Sequence, residues 1–278
     1  MKVLITGSKG QLGSELVDLL SKENEVHGFG HKELDITDRN LVINTVSKIV
    51  PDIVIHCAAL VDADGCETDI KDAFDVNTIG TGNVSIASKK AKSTMVYIST
   101  DYVFDGEKNS PYLEYDIPNP ISIYGISKYA GEQIVRHYLE KFFIVRTAWL
   151  YRRVGKNFVN TIINLAKDKK ELKVVNDQVG SPTYVPDLAK AISTLISTDY
   201  YGIYHITNSG KVSWYEFTKK ILKYAGIKNV KATPISSEEL NRPAPRPKYS
   251  VLGSYNLEKK KIYKMRNWEL ALKDFFKK

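Results

Sequence analysis

Cysteine is scarce in this sequence, and long apolar runs are missing. The 278 residues include two cysteines, Cys57 and Cys66, which is too few for a disulfide framework. Nothing reaches the roughly 18 consecutive apolar residues of a membrane span. The N-terminal MKVLITG leads directly into a strand pattern rather than a cleavable secretory signal. We therefore expect a cytoplasmic protein with reduced thiols and no membrane partner.

Concentrated charge of one sign is also missing, although the net charge is basic, at +8. The lysines are scattered and form only short clusters, such as residues 259–261 and 277–278. Proteins that bind nucleic acid usually carry a continuous basic stripe or patch. We therefore expect no nucleic-acid partner, whereas a modest positive field suits a small molecule that carries a diphosphate.

Short β-branched segments alternate with helical patterns through the first half of the chain. The predicted strands are residues 2–6, 25–29, 52–59, 94–99 and 142–148. The predicted helices are residues 11–21, 39–50, 66–90 and 124–138. This alternation is typical of βαβ units, so we predict an α/β fold with a doubly wound, parallel Rossmann-type sheet.

The alternation weakens after Trp149, where the segment NDQVGSPTYVPD is rich in turn-forming residues. We predict a dinucleotide-binding domain over residues 1–150 and a smaller C-terminal α/β substrate-binding lobe over residues 151–278. Apolar residues at helical spacing near residues 184–197 predict a helix that returns to the main sheet. The prolines of NRPAPRPKYS predict an irregular loop.

A glycine-rich motif of the form GxxGxxG separates the first predicted strand from the first helix. Its glycines permit a tight turn and close backbone approach to a pyrophosphate, and the helix N-terminus supplies partial positive charge. The residues predicted to bind the cofactor here are Gly7, Gly10, Gln11, Leu12 and Gly13.

Two further segments lie at the carboxyl ends of predicted strands, where a bound dinucleotide is expected. Asp35 and Ile36 follow the second strand and are predicted to flank the adenine; alternatively, Asp35 caps the helix that begins near Asp38. The third strand ends in small residues that allow the chain to approach the cofactor. These residues, with their neighbour, are Ala58, Ala59 and Leu60.

The end of the second strand also predicts the type of dinucleotide. An NAD-selective site usually places an acid about 20 residues beyond the glycine motif, on the ribose 2′-hydroxyl. Here no acid appears before Glu33, whereas His31 and Lys32 offer donors and positive charge to a 2′-phosphate. We predict NADPH as the preferred cofactor, with NADH as the alternative because no arginine clamp is present.

Tyr124 and Lys128 have the i, i+4 spacing that places both side chains on one face of a helix. An ammonium group near a phenol lowers the tyrosine pKa from about 10, which assists proton donation to a carbonyl. The strand and the Thr100-Asp101 turn before this pair strengthen the pattern. In a chain that opens with a dinucleotide motif, the Tyr124 and Lys128 pair is therefore a candidate catalytic pair.

Together, GxxGxxG and Tyr-x-x-x-Lys resemble the extended short-chain dehydrogenase/reductase superfamily. Longer strings resemble the dTDP-4-dehydrorhamnose reductase family and extend over nearly the whole chain: STDYVF at 99–104, YGISK at 124–128, RTAW at 146–149, NDQVGSPT at 176–183 and Arg246-Pro247. The resemblance implies hydride transfer from NAD(P)H to C4 of dTDP-4-dehydro-6-deoxy-L-mannose, giving dTDP-L-rhamnose. It also implies that Tyr124 donates the proton, that Lys128 tunes Tyr124 and holds the nicotinamide ribose, and that Thr100 hydrogen-bonds the reacting carbonyl and Tyr124.

The resemblance extends to the substrate pocket. Asp101 and Trp149 match family positions that line the sugar pocket, although Trp149 also suits core packing at a strand end. Arg246, in a loop that proline holds open, is predicted to bind the diphosphate. Glu15 matches a position that binds magnesium in some relatives, but a lone acid in a first helical turn also complements the helix dipole, so we predict no metal site.

Two other functions are compatible with these residues. One is another nucleotide-sugar reductase or epimerase, because only the second lobe selects the sugar; the STDYVF string favours the reductases. The other is a non-catalytic, dinucleotide-binding regulatory subunit of the methionine adenosyltransferase type. The presence of Thr100, Tyr124 and Lys128 together argues against it. The sequence does not determine the oligomeric state, and a homodimer is compatible with it.

Overall fold

Twelve strands and twelve helices make up the part of the protein that a computed structural model describes, residues 1–277. The strands are β1 (Lys2–Thr6), β2 (Glu25–Phe29), β3 (Ile53–His56), β4 (Thr94–Thr100), β5 (Phe142–Thr147), β6 (Leu150–Tyr151), β7 (Glu171–Val175), β8 (Val179–Gly180), β9 (Thr183–Tyr184), β10 (Gly202–His205), β11 (Val212–Ser213) and β12 (Lys231–Ile235).

The helices surround these strands and connect most of them. They are α1 (Gln11–Leu20), α2 (Arg39–Ile49), α3 (Ala63–Thr68), α4 (Ile70–Phe74), α5 (Thr81–Ala91), α6 (Ile123–Tyr138), α7 (Phe158–Asp168), α8 (Val185–Leu195), α9 (Trp214–Tyr224), α10 (Ser237–Leu240), α11 (Tyr255–Lys259) and α12 (Trp268–Phe276). A π-helical segment covers Asp75–Gly80, and a 3-10 turn covers Asp101–Val103. Within residues 1–277, no helix is both long enough and apolar enough to cross a membrane.

Six parallel strands form the central sheet, in the spatial order β10-β5-β4-β3-β1-β2. The predicted fold class is confirmed. The order reverses between β1 and β3, and ligands of open parallel sheets bind at the carboxyl ends of the strands beside such a reversal. The glycine-rich loop after β1 and residues 57–60 after β3 both lie at this point.

Alternating residues of the strands supply two apolar layers, one on each face of the sheet. In β1, Val3 and Ile5 pack with helices α1 and α8, whereas Leu4 packs with α2, α5 and α6. Helix α8 therefore lies on the main sheet, although it follows the region around Trp149 in the chain. The division into domains at residue 150 stays a prediction.

A second apolar cluster lies between helices α7, α9 and α12. Aromatic side chains dominate it, including Tyr151, Phe217 and Trp268. Strands β7 and β12 pair in parallel at its edge. This cluster supports the loops that follow β5 and β10, which face the carboxyl ends of the central strands.

The single helix predicted over residues 66–90 is wrong. The chain instead forms α3, α4, the π-helical segment and α5 in succession. The Asp69 side chain accepts a hydrogen bond from the Asp72 N–H at 3.0 Å and so caps a new helix start. In the wider π turn, Asn77 directs its side chain away from the helix toward the Leu60 backbone. Apolar spacing does not reveal such local interruptions.

A buried ion pair ties α6 to the sheet. Arg146 of β5 and Glu132 of α6 are 2% and 0% exposed, and they form two hydrogen bonds of 2.9 and 2.7 Å. Ser99 of β4 donates a third hydrogen bond to Glu132, at 2.5 Å. The remaining guanidinium face contacts the Phe104 ring and His205 Nε2. All of these partners are needed, because a buried charge without partners is very unfavourable.

Removing one member of this pair is expected to destabilise the fold strongly. Arg146→Ala leaves the Glu132 carboxylate buried without its partner, so we expect a loss of about 3–5 kcal/mol in the free energy of unfolding. Urea denaturation followed by circular dichroism measures it. Lys219→Ala is the control, since Lys219 and Glu216 form an exposed pair and the expected loss is below about 1 kcal/mol. Equal losses in both variants would contradict the assignment.

Candidate active site

The glycine-rich loop packs against the end of β3 so closely that side chains are excluded. Gly7 has φ +67°, and a Cβ there would lie 2.6 Å from the Ala58 nitrogen. A Cβ on Gly13 would lie 2.2 Å from the Gly7 carbonyl oxygen. Gly10 precedes α1, and no side chain caps this end of the helix. Its first N–H groups, at Gln11 and beyond, therefore face a position suited to an anion.

Gln11 and the segment after β6 meet beside this loop. The Arg152 guanidinium donates to the Gln11 carbonyl at 2.9 Å and to the Ser14 hydroxyl. The Gln11 amide donates to the Lys156 carbonyl at 3.3 Å, while its buried Oε1 has no partner within residues 1–277. The loop is thereby joined to the second half of the chain, and one buried acceptor stays free for a ligand.

The predicted adenine-side residues lie directly after β2. Asp35 Oδ1 accepts from the Thr37 N–H at 2.9 Å and from its hydroxyl at 2.8 Å. These bonds lower the Asp35 pKa. Ile36 is buried. The alternative that Asp35 caps α2 is wrong, because Asp38 accepts from the Leu41 N–H and is the N-cap.

Residues 58–60 are held in place by a side chain that the sequence reasoning missed. Asn77 accepts from the Leu60 N–H at 2.9 Å and donates to the Leu60 carbonyl at 3.0 Å. It also donates to the Ser127 hydroxyl of α6 at 3.1 Å. Ala58 donates to Thr6 Oγ1 at 3.3 Å. Asn77 thus links the predicted cofactor segment to the helix that carries Tyr124 and Lys128. In the sequence, the only indication of this role is a polar residue within a helical pattern.

Helix α6 starts and approaches its neighbours through specific contacts. Ser122 accepts from the Gly125 N–H at 3.2 Å, and Glu67 accepts from the Ile123 N–H at 2.8 Å. Gly125 lies so near that a Cβ would be 2.2 Å from the Tyr102 carbonyl oxygen, and a Cβ on Gly131 would be 2.4 Å from the Tyr97 hydroxyl. The small residues therefore bring α6 against the carboxyl end of β4.

Thr100, at the end of β4, and Tyr124 meet in this buried contact. Burial raises the pKa of Tyr124 well above its ordinary value of 10, while hydrogen bonding with the Thr100 side chain lowers it. Thr100 also accepts from the Tyr102 N–H at 3.2 Å and donates to Asp101 Oδ1 at 3.1 Å. The expectation that Lys128 lowers the pKa of Tyr124 is wrong. Burial has the largest effect on this pKa and raises it, and Lys128 is not among the groups that shift it.

Within residues 1–277, Lys128 is a buried cation that has no acidic partner at its ammonium group. Its side chain is 2% exposed, and Nζ lies over the Tyr97 ring, 4.2 Å from the centroid. Burial lowers the Lys128 pKa to about 7, although the negative charge of Glu132 one turn further along α6 raises it. The spacing prediction is confirmed in that both Tyr124 and Lys128 lie on α6. Their chemical roles stay a proposal.

Asp101 and Trp149 face the region beyond the sheet. Burial raises the pKa of Asp101 to about 6, and its Oδ2 has no hydrogen-bond partner in the described residues. Trp149 has φ +50°, a conformation uncommon for a bulky residue. Its ring stacks on Trp214, with centroids 3.4 Å apart, and closes against Gly180. Trp149 therefore packs on aromatic residues of the second cluster while remaining half-buried.

Arg246 is paired within the chain. Its Nη2 donates to Asp64 at 3.0 Å, and its Nη1 donates to the Ala244 carbonyl at 2.8 Å. The loop turn at Gly106, with φ +85°, lies against Pro247. The sequence reasoning missed Asp64, because no local pattern joins residues so far apart in the chain. Arg246 lies near Tyr102. The Tyr102 ring packs edge-on against the Tyr124 ring, and the two ring centroids are 5.5 Å apart.

The buried ammonium group of Lys128 is expected to reduce the stability of the fold. Its pKa falls from 10.5 to about 7, so between these values the unfolded chain holds a proton that the folded chain releases. Stability contributed by this group is therefore lowest below pH 7 and rises toward pH 10.5. Lys128→Met removes the penalty, and we expect a gain of at least about 1 kcal/mol in unfolding free energy at pH 7.

Urea denaturation at pH 7 and near pH 10 tests this expectation. The gain should shrink at the higher pH, because Lys128 is then neutral in the folded chain and partly deprotonated in the unfolded chain. Lys89→Met, on an exposed position of α5, is the control and should show neither the gain nor its pH dependence. A Lys128→Met variant that is less stable than the parent at pH 7 would contradict the inferred desolvation.

Comparison with known proteins identifies the family of this chain. The family model described as RmlD substrate binding domain matches residues 1–278. The chain is 41% identical to the spore coat polysaccharide biosynthesis protein SpsK of Bacillus subtilis, over 99% of this chain and 96% of that protein. It is 35% identical to a dTDP-4-dehydrorhamnose reductase of Aggregatibacter actinomycetemcomitans, over 98% and 97% of the two chains.

The crystal structure of a dTDP-4-dehydrorhamnose reductase from Bacillus anthracis in complex with NADP superposes with a TM-score of 0.97. Its sequence is 48% identical to this chain, and the match covers 99% of each. The predicted family is therefore confirmed. Since the family model and these relatives span the whole chain, the protein belongs to the dTDP-4-dehydrorhamnose reductase family of NAD(P)H-dependent oxidoreductases.

Proposed function

We propose that this protein uses NADPH to reduce the 4-keto group of dTDP-4-dehydro-6-deoxy-L-mannose to give dTDP-L-rhamnose. The observation that carries the proposal is the buried contact of Thr100 with Tyr124 at the end of β4, with Lys128 one turn further along α6. The relative whose name specifies this reductase, and the NADP complex of the B. anthracis protein, support the choice of substrate and cofactor. The two free thiols, Cys57 and Cys66, support a cytoplasmic location.

The residues present fit a dinucleotide. Gly7 and Gly13 let the loop pack tightly against the end of β3 and the start of α1, and no side chain caps the start of α1. The buried, unpartnered Gln11 Oε1 is a free acceptor at the same place. Residues 7–13, Asp35, Ile36 and residues 58–60 would hold the cofactor, with Lys128 on its nicotinamide ribose. When bound, NADPH supplies the hydride that adds to the carbonyl carbon.

Tyr124 supplies the proton in this proposal. Burial raises its pKa, so the phenol keeps its proton at neutral pH and is ready to donate it to the ketone oxygen. Addition of one hydride to carbon and one proton to oxygen converts the C=O group to CH–OH. The Thr100 hydroxyl lies beside Tyr124 at the end of β4 and is proposed to orient the phenol and the carbonyl oxygen. Lys128 is proposed to act on the nicotinamide ribose and not through the pKa of Tyr124.

Asp101, Trp149 and Arg246 are proposed to bind the sugar nucleotide. The free Oδ2 of Asp101 is a buried acceptor for a sugar hydroxyl, and Arg246 supplies N–H donors and positive charge for the diphosphate. Trp149 offers a half-buried aromatic face beside them. The position of Thr100 beside Tyr124 argues against the non-catalytic regulatory subunit, which needs no proton donor.

Tyr124→Phe tests the proposed proton transfer. The variant keeps the ring but loses the hydroxyl, so we expect kcat to fall by about 10²–10⁴ while the Kd for NADPH stays nearly unchanged. Purified protein is assayed with dTDP- and UDP-linked 4-keto sugars by loss of reduced nicotinamide absorbance. Tyr129→Phe, on the same helix, is the matched control and should retain turnover. Near-normal kcat in Tyr124→Phe would show that another group donates the proton.

The proposed preference for NADPH is tested at the end of β2. His31 and Lys32 are exposed there, and the acid that follows, Glu33, pairs with Lys9 of the glycine-rich loop. We expect the parent protein to show higher kcat/KM with NADPH, and the double variant of His31→Ala and Lys32→Ala to lose about tenfold of that preference. Lys22→Ala, in the loop before β2, is the control. A higher kcat/KM for NADH in the parent would contradict the preference.

A further inference from the structure

The Asp64 carboxylate, on α3, contacts three N–H donors of one loop that is distant from it in the sequence. Its carboxylate accepts from the Ala244 N–H at 3.1 Å and from Arg246 at 3.0 Å, and it pairs with Arg242 at 3.0 Å. All three donors come from residues 242–246, which the chain reaches after the six strands of the central sheet. The contact therefore joins the loop before α11 to the segment that follows β3.

This contact is largely shielded from solvent. The side chains of Asp64 and Arg246 are each 17% exposed, whereas Arg242 is 57% exposed. Burial alone would raise the pKa of Asp64, but hydrogen bonds from Ala244 and Arg246 and the charges of both arginines outweigh it and lower the pKa. Asp64 is therefore ionised at neutral pH, and its bond to Arg246 is charge-assisted.

Asp64 orients Arg246 without neutralising the loop. Two guanidinium groups face one carboxylate, so a net positive charge remains. Arg246 uses Nη2 on Asp64 and Nη1 on the Ala244 carbonyl, and a guanidinium has five N–H donors in a fixed fork. The remaining donors keep a defined direction because two bonds already fix the plane of the group.

The same short helix also fixes the start of the catalytic helix. Glu67 of α3 accepts from the Ile123 N–H, one residue before Tyr124. Arg246 lies beside Tyr102, whose ring packs against the Tyr124 ring. Helix α3 thus sets the position of Arg246 relative to Tyr124, although the two belong to distant parts of the chain.

We propose that Asp64 is a positioning residue for substrate binding: it holds the 242–246 loop over the site and directs Arg246 toward the diphosphate of the sugar nucleotide. This inference rests on the proposed function. It assigns no contact between Asp64 and the substrate. Its effect is on binding of the nucleotide sugar and not on proton or hydride transfer.

Asp64→Asn tests the proposal because it removes the charge and keeps the size. We expect KM for the dTDP-4-keto sugar and Kd for dTDP to rise about tenfold, with kcat within about twofold and Kd for NADPH unchanged. Asp64→Glu should restore part of the binding. Asp62→Asn, an exposed acid two residues earlier, is the control. The thermal midpoint of each variant separates binding effects from unfolding. A lowered KM in Asp64→Asn would overturn the proposal, because it would show that the Asp64 carboxylate competes with the diphosphate for Arg246.

A double-mutant cycle with Arg246→Ala shows whether Asp64 acts through that arginine. We expect Arg246→Ala alone and the double variant with Asp64→Asn to have the same KM. Additive increases in KM would overturn the proposal. An unchanged KM in Arg246→Ala would also overturn the proposed role of Asp64. The proposed reaction is tested separately in the same assay, where loss of turnover in Tyr124→Phe would support it.

Discussion

The buried pair of Glu132 and Arg146 is the interaction on which the site depends. It joins α6, which carries Tyr124 and Lys128, to β5 and, through Ser99, to β4. Arg146 also reaches His205, whose Nδ1–H donates to the Tyr112 carbonyl at 3.0 Å. Burial and the neighbouring guanidinium lower the His205 pKa to about 3, so the ring is neutral and able to accept from Arg146. The carboxyl ends of three strands are thereby fixed to one helix.

Stability and chemistry conflict at Lys128. The fold places an ammonium group in a buried position over the Tyr97 ring, where burial opposes its charge. Tyr124, one turn earlier on α6, is half-buried and keeps its proton. A protein selected for stability alone would fill this space with apolar side chains. A ligand with negative or polar groups in the adjacent space would offset the cost of this buried charge, in accord with the role proposed for Lys128.

The sequence predicted what depends on local periodicity and local motifs. The alternation of strands and helices, the loop at Gly7–Gly13 and the helix with Tyr124 and Lys128 all follow from neighbouring residues. The break in the helix predicted over residues 66–90, the link from Asn77 to Leu60 and the bond of Asp64 to Arg246 do not, because side-chain hydrogen bonds and tertiary contacts decide them. The pKa of Tyr124 was also mispredicted, since spacing indicates a neighbour but not the degree of burial.

Strand β10 enters the sheet beside β5 only after the chain has formed the region from β6 to α8. During synthesis on the ribosome, the other five strands of the sheet are therefore complete before Gly202–His205 emerges. Until then, β5 is an edge strand with unpaired backbone groups, and Arg146 lacks His205. A polypeptide terminated before Gly202 carries an open parallel edge that can pair with another copy, so premature termination products of this chain are prone to aggregate.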